Sequence, residues 1–376
     1  MSVIAITGWG VVSSIGIGAE NFTTAWCSRT SGIRDVSMMY PDQELPVDRA
    51  GAIVDFQAGD HLGRKGTRFY DRSTAMTVVA VKLALEDAGR YRSGERDDDI
   101  GVVLGTTTGA LEASWELIRD SIVSEKPYLV NPVKFPYVVM NGPASAAAIR
   151  FLLGGANVTI SGGQAALSAA MAYGRRHVLG GHGKAALVGV VDEFAPARAW
   201  AAQKVRAGTA AGRAPLGEGA AIFLVEDADT VRAEGRKPDA EIPAVVTGLY
   251  DGETGAPDDP VAGFAACIEQ ALEIAGVRVD EVSSIAPSLG GSPRRDAIES
   301  AGLAKVFGEA LPVLLPVKEL LGETYSAAGG LQLAAVLAEH RNDRARDGAV
   351  SLVTSITTEG LVGVAVVRGF SRATGN

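Results

Sequence analysis

The sequence has few of the residues on which several classes of protein depend. Among its 376 residues there are two cysteines, four histidines and only 6% aromatic side chains. Cys27 and Cys267 lie far apart in helix-like surroundings, which favours reduced thiols over a disulfide framework. Because cysteine and histidine are not closely paired anywhere in the chain, no zinc site is indicated. We expect neither a metal nor a cofactor.

Positive charge and long apolar runs are also scarce. Lys and Arg number 35 against 44 Asp and Glu, a net charge of −9, and no dense basic run occurs. We therefore do not expect nucleic acid as a partner. No stretch approaches the roughly 18 apolar residues that a membrane-spanning helix needs, and the chain opens directly into a strand-like run. These absences predict a soluble, cytoplasmic protein without a membrane partner.

The apolar residues that make up 47% of the chain follow an alternating pattern. Short runs rich in Val and Ile alternate with longer segments of helical period, such as a helix at Thr74–Ala88, as expected for strands buried between helix layers. Strands are predicted near Val3–Thr7, Ile100–Gly105, Asn157–Ser161, Ala185–Val190, Ala220–Val225, Val282–Ala286, Pro312–Val317, Ala349–Thr354 and Leu361–Arg368. The pattern predicts an α/β fold.

The chain also shows signs of an internal duplication. A charge-rich stretch, Glu226–Glu241, separates two parts of similar order. Soon after it, Val245-Val246-Thr247-Gly248 resembles Ala5-Ile6-Thr7-Gly8 at the start of the first part. We therefore predict two similar halves, residues 1–240 and 241–376.

Each half contains a small-residue turn that is predicted to open a helix after a strand, at Ser161–Ala166 and Ser326–Gly330. The first turn has the pattern of a nucleophile elbow, which presents one side chain at a helix N-terminus. The helix dipole there would lower the pKa of a cysteine and make a thiolate available. The residue presented is Gln164, which cannot ionise and cannot attack a thioester.

Several motifs together resemble the β-ketoacyl synthases of the thiolase-like superfamily. The resemblance follows the order of the motifs over nearly the whole chain. The motifs are Ile6-Thr7-Gly8-Trp9-Gly10-Val11-Val12, Arg29–Ile33, Gly217-Glu218-Gly219-Ala220, Val313–Lys318, Gly322 and Ala327-Ala328-Gly329. This resemblance implies a thiolase-like, five-layered αβαβα fold.

Active members of that family carry a Cys–His–His set, and this sequence replaces all three positions. By position in the motifs, the cysteine corresponds to Gln164, the first histidine to Ser288 and the second to Glu323. Only the family's lysine is retained, as Lys318. In such enzymes the histidines donate hydrogen bonds to the malonyl thioester carbonyl as its carboxylate leaves. Without them, the resemblance implies that both condensation and decarboxylation fail.

The other polar residues are interpreted as structural. Glu218 is expected to be a buried carboxylate held by turn amides, and Lys318 to pair with Glu323 or another carboxylate. The histidines, expected at the surface or in packing, are His61, His177, His182 and His340.

Two segments depart from ordinary ketosynthases. The Ala- and Arg-rich run between Phe194 and Gly217 is shorter than the family's substrate-mouth segment, and Ile356–Gly360 replaces the phenylalanine-containing gate loop. Both departures favour a closed pocket.

Among relatives with glutamine at the cysteine position, the loss of both histidines is typical of the chain-length factors of type II polyketide synthases. The resemblance implies an obligate heterodimer with a catalytic ketosynthase, paired across the strand near Asn157–Ser161, with an acyl carrier protein bound to the complex. The chain would be a subunit of an acyltransferase complex, without condensing activity of its own, that helps to set polyketide or polyene chain length.

One helix is a candidate for the floor of the acyl tunnel. After the strand at Ile100–Gly105, Leu111, Trp115 and Ile118 recur at i, i+4 and i+7 and so share a helix face. In chain-length factors the helix at this place resembles the tunnel floor, where bulky side chains stop growth. The alternative is that the face packs into the core.

Two other functions remain open at this stage. The chain could be a malonyl-carrier-protein decarboxylase that uses Gln164 as a hydrogen-bond donor, although the loss of both histidines counts against it. It could also be a stand-alone homodimeric acyl-binding protein.

Overall fold

The computed structural model describes residues 2–132, 135–206, 214–250, 259–341 and 343–372. Within these ranges the strands are β1 Ile4–Ser13, β2 Gly16–Ile17, β3 Arg34–Asp35, β4 Arg49–Ala50, β5 Ile100–Thr106, β6 Asn157–Ser161, β7 Ala185–Asp192, β8 Gly219–Asp227, β9 Ala240–Leu249, β10 Val282–Ala286, β11 Val313–Leu314, β12 Val350–Ile356 and β13 Leu361–Gly369.

The α-helices in the same ranges are α1 Ala19–Cys27, α2 Ala58–Leu62, α3 Arg72–Asp87, α4 Leu111–Val123, α5 Phe135–Val138, α6 Gly142–Phe151, α7 Ala166–Leu179, α8 Pro196–Arg206, α9 Ala228–Ala233, α10 Pro260–Ala275, α11 Pro293–Phe307, α12 Val317–Leu321 and α13 Ala327–Arg341. None of the described helices is long and apolar enough to cross a membrane.

Strands β3 and β4 pair only with each other, and the other described strands form two groups that meet at one short pairing. One group has the order β6-β5-β7-β8-β1 and the other β9-β13-β12-β10-β11, and β2 adds to β1. The groups join where Ile4–Ile6 pairs antiparallel with Ala240–Ile242. Strand β6 pairs with β5 and lies at the end of the strand order, so its outer edge has no strand beside it among the described residues.

Helix layers cover both strand groups and separate them. Helices α3 and α6 pack on the first group, and α10, with α11 against it, packs on the second. Helices α7 and α13 lie between the groups, and Ala327–Ala338 of α13 is buried on every side, as expected of a central helix. The result is the five-layered αβαβα arrangement of the thiolase-like fold.

Three buried apolar clusters fill the spaces between these layers, and the alternation of side chains along each strand explains them. On β7, Leu187 packs in the outer cluster with α3, whereas Val188 packs in the central cluster with α7 and α13. On β12, Leu352 faces α10 and Val353 faces the central cluster. Strands buried on both faces account for the unbroken apolar runs in the sequence.

Most predicted elements are confirmed, and two details are wrong. Only Val313–Leu314 of the predicted strand Pro312–Val317 is a strand, because Pro316, which has no N–H for a ladder, precedes a helix that starts at Val317. The turn at Ser326–Gly330 opens α13 as predicted, but it follows the short helix α12 and a loop rather than a strand.

Candidate functional site

The predicted elbow at Gln164 is present. Strand β6 ends at Ser161, and Gly163 has a φ of +50°, in the left-handed region that favours glycine. Gln164 follows in a 3₁₀ turn, Gly163–Ala165, that leads directly into α7. Its side chain is half-buried and makes no hydrogen bond to another described residue. The turn therefore presents a neutral amide where a thiolate would be needed.

Ser288, two residues after β10, is bound to a buried carboxylate. Its backbone N–H and its hydroxyl donate to Oε1 and Oε2 of Glu299 over 3.0 and 2.7 Å. The Thr354 hydroxyl donates to Oε1 of the same carboxylate over 2.6 Å. The three hydrogen bonds favour the ionised form of Glu299, but burial is the larger effect and raises its pKa. The Ser288 hydroxyl proton is thus already used within the protein.

Glu323 forms a buried ion pair with the retained lysine. Lys318 Nζ lies 2.9 Å from Glu323 Oε2 and also donates to the Ser288 carbonyl oxygen over 2.5 Å. The other carboxylate oxygen, Oε1, accepts the Tyr325 N–H over 2.9 Å, and Arg295 Nη2 lies 3.8 Å from Oε2. Burial opposes ionisation, but Lys318 and Arg295 outweigh it and hold the pKa of Glu323 below its ordinary value.

The structure brings Ser288, Lys318 and Glu323 together, because the Lys318 ammonium binds both the Ser288 carbonyl and the Glu323 carboxylate. Gln164 lies in a turn that packs against β12 and α13. Space in the cluster is tight: a Cβ on Gly291 would lie 2.1 Å from Glu323 Oε2. A negative carboxylate repels a developing enolate, and the Ser288 hydroxyl is already engaged. In this arrangement neither Ser288 nor Glu323 offers a free hydrogen-bond donor.

Glu299 and Arg295 were missed by the sequence reasoning, although α11 carried a signal. Glu299 shares a four-residue spacing with Leu303 and Phe307, and all three are buried. A carboxylate in an apolar helix stripe is rarely buried without partners, so its position marked a hydrogen-bonded site.

Glu218 has the structural role predicted for it. Its carboxylate is fully buried and receives two hydrogen bonds from Arg72, over 2.6 and 2.5 Å. The N–H groups of Ile53 and Phe194 donate to it over 2.7 and 3.0 Å.

Leu111, Trp115 and Ile118 lie on α4 as predicted, but this face does not pack into the core of the isolated chain. Trp115 is 47% exposed and Ile118 52% exposed, and no residue of α4 is fully buried. The core-packing alternative is therefore wrong for the chain alone, because the protein's own layers end before this helix.

Exposed apolar side chains continue from α4 through α5 to α6, which packs against the edge strand β6. We call this region the α4–α6 surface; its exposed apolar members are Trp115, Ile118, Ile122, Val123, Tyr128, Leu129, Phe135, Met140, Ile149 and Leu152. Large exposed apolar surfaces are typical of interaction sites.

The remaining candidates are structural. Cys27 and Cys267 are both free, and burial raises the pKa of Cys267 to about 11. His177 and His340 are buried in packing. Within the described residues no group of three or more His, Cys, Asp or Glu side chains could hold a metal ion.

The two departing segments are described in part. Of the run between Phe194 and Gly217, residues 207–213 lie outside the described ranges. In the gate segment, Thr357 closes a turn by a backbone hydrogen bond to Leu361.

Comparison with known proteins places the whole architecture in one family. The family model described as "Beta-ketoacyl synthase, N-terminal domain" matches residues 1–236, and "Beta-ketoacyl synthase, C-terminal domain" matches residues 240–344. The chain belongs to the β-ketoacyl synthase family. The boundary between the matches lies beside Ala240, where β9 begins.

Within the β-ketoacyl synthase family, the chain resembles polyketide proteins. It is 32% identical to granaticin polyketide β-ketoacyl synthase 2 of Streptomyces violaceoruber, over 88% of this chain and 82% of the relative. It is 29% identical to actinorhodin polyketide β-ketoacyl synthase 2 of Streptomyces coelicolor, over 100% of this chain and 93% of the relative.

A solved structure titled "The ishigamide ketosynthase/chain length factor" is similar along the full length. The TM-score is 0.86 and the identity 34%, with 98% of this chain and 99% of that chain covered.

Proposed function

We propose that this chain is a non-catalytic chain-length factor that pairs with an active ketosynthase and helps to shape the acyl tunnel. The observation that carries the proposal is the buried Lys318–Glu323 ion pair, with the engaged Ser288 beside it, at the positions of the family's two histidines. Gln164 at the nucleophile position completes the replacement. The partner would supply the Cys–His–His set.

The α4–α6 surface supports the pairing. It lies beside β6, whose free edge offers backbone hydrogen-bond groups to a strand of a second chain. An obligate interface commonly buries about 2,000–5,000 Å² and is more apolar than the rest of the surface. A ketosynthase packed here would cover Trp115 and its neighbours and place them next to the growing acyl chain.

The carrier protein has a more distant role in this proposal. With a net charge of −9 this chain should repel an acidic acyl carrier protein, which would dock mainly on the catalytic partner. The carrier then binds to the complex rather than to this chain alone.

Co-expression with an intact Cys–His–His ketosynthase tests the proposal. A tag on this chain should recover both proteins in a one-to-one complex. Ile122→Asp, at a residue of the α4–α6 surface that is 75% exposed, should weaken association about 100-fold or more, because the interface would bury an unpaired carboxylate. Val313→Asp is the matched control: Val313 is 67% exposed but lies on β11, at the opposite end of the strand order from β6.

The alternatives give different results. A decarboxylase would release carbon dioxide from malonyl carrier protein without any partner. A stand-alone acyl-binding protein would form homodimers through the same surface and would ignore the ketosynthase. Either outcome, with no complex recovered, would reject the proposal.

A further inference from the structure

Helix α4 has an unusual attachment to the protein. None of its residues is fully buried, and Ala110, which precedes it, provides no side-chain cap. Packing therefore contributes little to its position in the isolated chain. Under the proposed function, however, α4 carries the residues that stop growth of the acyl chain. Its first turn must therefore be held in place by another contact.

A buried carboxyl group joins the start of α4 to the core. Glu193, which follows β7 directly, is buried, and its Oε1 accepts the N–H of Glu112 in the first turn of α4 over 2.9 Å. Its Oε2 accepts the N–H of Ser73 in the first turn of α3 over 3.1 Å. Helix α3 is packed throughout the outer cluster, so it is a rigid support. A carboxyl group placed at two helix N-termini accepts hydrogen bonds from two N–H groups that have no partner within their own helices.

The surroundings of Glu193 show that this arrangement has an energetic cost. Burial and the neighbouring Asp71 carboxylate raise the pKa of Glu193 to about 7. The hydrogen bond from the Glu112 N–H and the charge of Arg198 lower this pKa but do not cancel the increase. Arg198 is itself paired with Asp192 over 2.7 Å. The two hydrogen bonds from the helix N-termini are therefore contacts that Glu193 gains in an otherwise unfavourable place.

We propose that Glu193 is a positioning residue that holds the start of α4, and with it Trp115, at the depth that sets product length. The proposal rests on the function proposed above. Glu193 does not face the acyl chain in this scheme; it acts only through α4.

Glu193→Gln tests the proposal, because an amide oxygen can accept one of the two N–H groups while its NH₂ opposes the other. Hydrogen exchange in α4 of the purified chain should become about 10-fold faster or more, whereas exchange in the central helix α7 should not change. Asp239→Asn is the matched control. It alters another buried carboxylate, bonded to Arg372 and remote from α4, and should leave α4 exchange unchanged.

The second readout is product length in the complex with a ketosynthase and carrier protein. Glu193→Gln should give longer or mixed products, as Trp115→Ala should, and the double variant should give the same products as Trp115→Ala alone. A general loss of stability would lower the amount of product without changing its length. Asp239→Asn should show only that behaviour.

The outcomes separate the two proposals. Unchanged α4 exchange in Glu193→Gln overturns the anchoring, whatever the ketosynthase does. Faster exchange with unchanged product length in an intact complex overturns the link to length and leaves the proposed function standing. A wild-type chain that forms no complex rejects the proposed function and the link to length together, while the exchange result still decides the anchoring.

The proposal can also be tested if Glu193→Gln fails to fold. If Glu193→Gln does not fold, Glu193→Asp keeps the charge but is one methylene too short to reach both helices, so the same changes are expected. If neither variant folds, Glu193 is a general requirement of the fold and the proposal is wrong.

Discussion

Replacing Lys318 by methionine should destabilise the protein strongly and in a pH-dependent way. The change keeps the length of the side chain but removes the charge 2.9 Å from Glu323 Oε2, with both side chains almost fully buried. Breaking a buried pair from one side typically costs about 3–5 kcal/mol. Arg295 remains 3.8 Å from the carboxylate, so we expect about 3 kcal/mol at pH 8.

The pH dependence follows from the pKa of Glu323. In the wild type this pKa lies below the ordinary value, so the pair contributes stability above about pH 4.5 and loses it as the pH falls. Without Lys318, burial raises the pKa instead, and the folded state is penalised increasingly as the pH rises. The difference between the two proteins should therefore be small near pH 4.5 and largest at pH 7–8.

Urea unfolding at pH 5 and pH 8 measures the difference in free energy of unfolding between the wild type and Lys318→Met. Both proteins are measured in the form, single chain or complex, in which the wild type is purified. The control is Lys82→Met, which breaks the more exposed Lys82–Glu86 pair of 3.2 Å and should cost less than about 1 kcal/mol at either pH. Adding Glu323→Leu to Lys318→Met should recover part of the loss, because the buried unpaired carboxylate is removed. The recovery should be incomplete, because the Ser288 carbonyl has lost the Lys318 donor and the Tyr325 N–H and Arg295 have lost the Glu323 carboxylate, at about 1 kcal/mol for each lost hydrogen bond. Equal destabilisation at both pH values would refute the reasoning, because Glu323 would then not be a buried, paired carboxylate.

Three further predictions concern the proposed function. The chain alone should neither condense nor decarboxylate malonyl carrier protein, and Gln164→Cys should not restore condensation, since each missing carbonyl donor costs about 10²–10³ in rate; carbon dioxide release by the single subunit would contradict this. The chain should be poorly soluble or unstable alone, and a cognate ketosynthase should raise its melting temperature; a well-behaved monomer at micromolar concentration whose melting temperature does not change would count against obligate pairing. Trp115→Ala should lengthen the products by roughly one or two units of two carbons each, as measured by mass spectrometry. The products must come from a complex shown to be intact, and an unchanged product length would mean that Trp115 does not line the tunnel.

The chain order of strands and helices could be predicted because it depends on local patterns. Strands Asn157–Ser161 and Val282–Ala286 have the predicted bounds, and the helix predicted at Thr74–Ala88 is α3, Arg72–Asp87. The error at Pro312–Val317 has a local cause: an apolar run that contains a proline can continue into a helix instead of a strand.

The candidate site could be predicted only as a set of positions. Motif order was enough to name Gln164, Ser288 and Glu323 and to show that none of them is cysteine or histidine. It could not show that the Ser288 hydroxyl donates to Glu299, because Ser288 follows β10 and its partner lies on α11.

By itself the sequence determined the α/β order of strands and helices and the helical face of Leu111, Trp115 and Ile118, whereas the αβαβα layers and the three replaced positions were implied by the family resemblance. Only the tertiary structure decided that this face lies outside the core, that Lys318 and Arg295 hold the pKa of Glu323 below its ordinary value, and that Glu193 joins α4 to α3. The physical reason is the range of the interactions. Periodicity and turns depend on neighbours in the sequence, whereas burial, charge pairing and helix anchoring depend on residues that only the folded chain brings within a few ångströms.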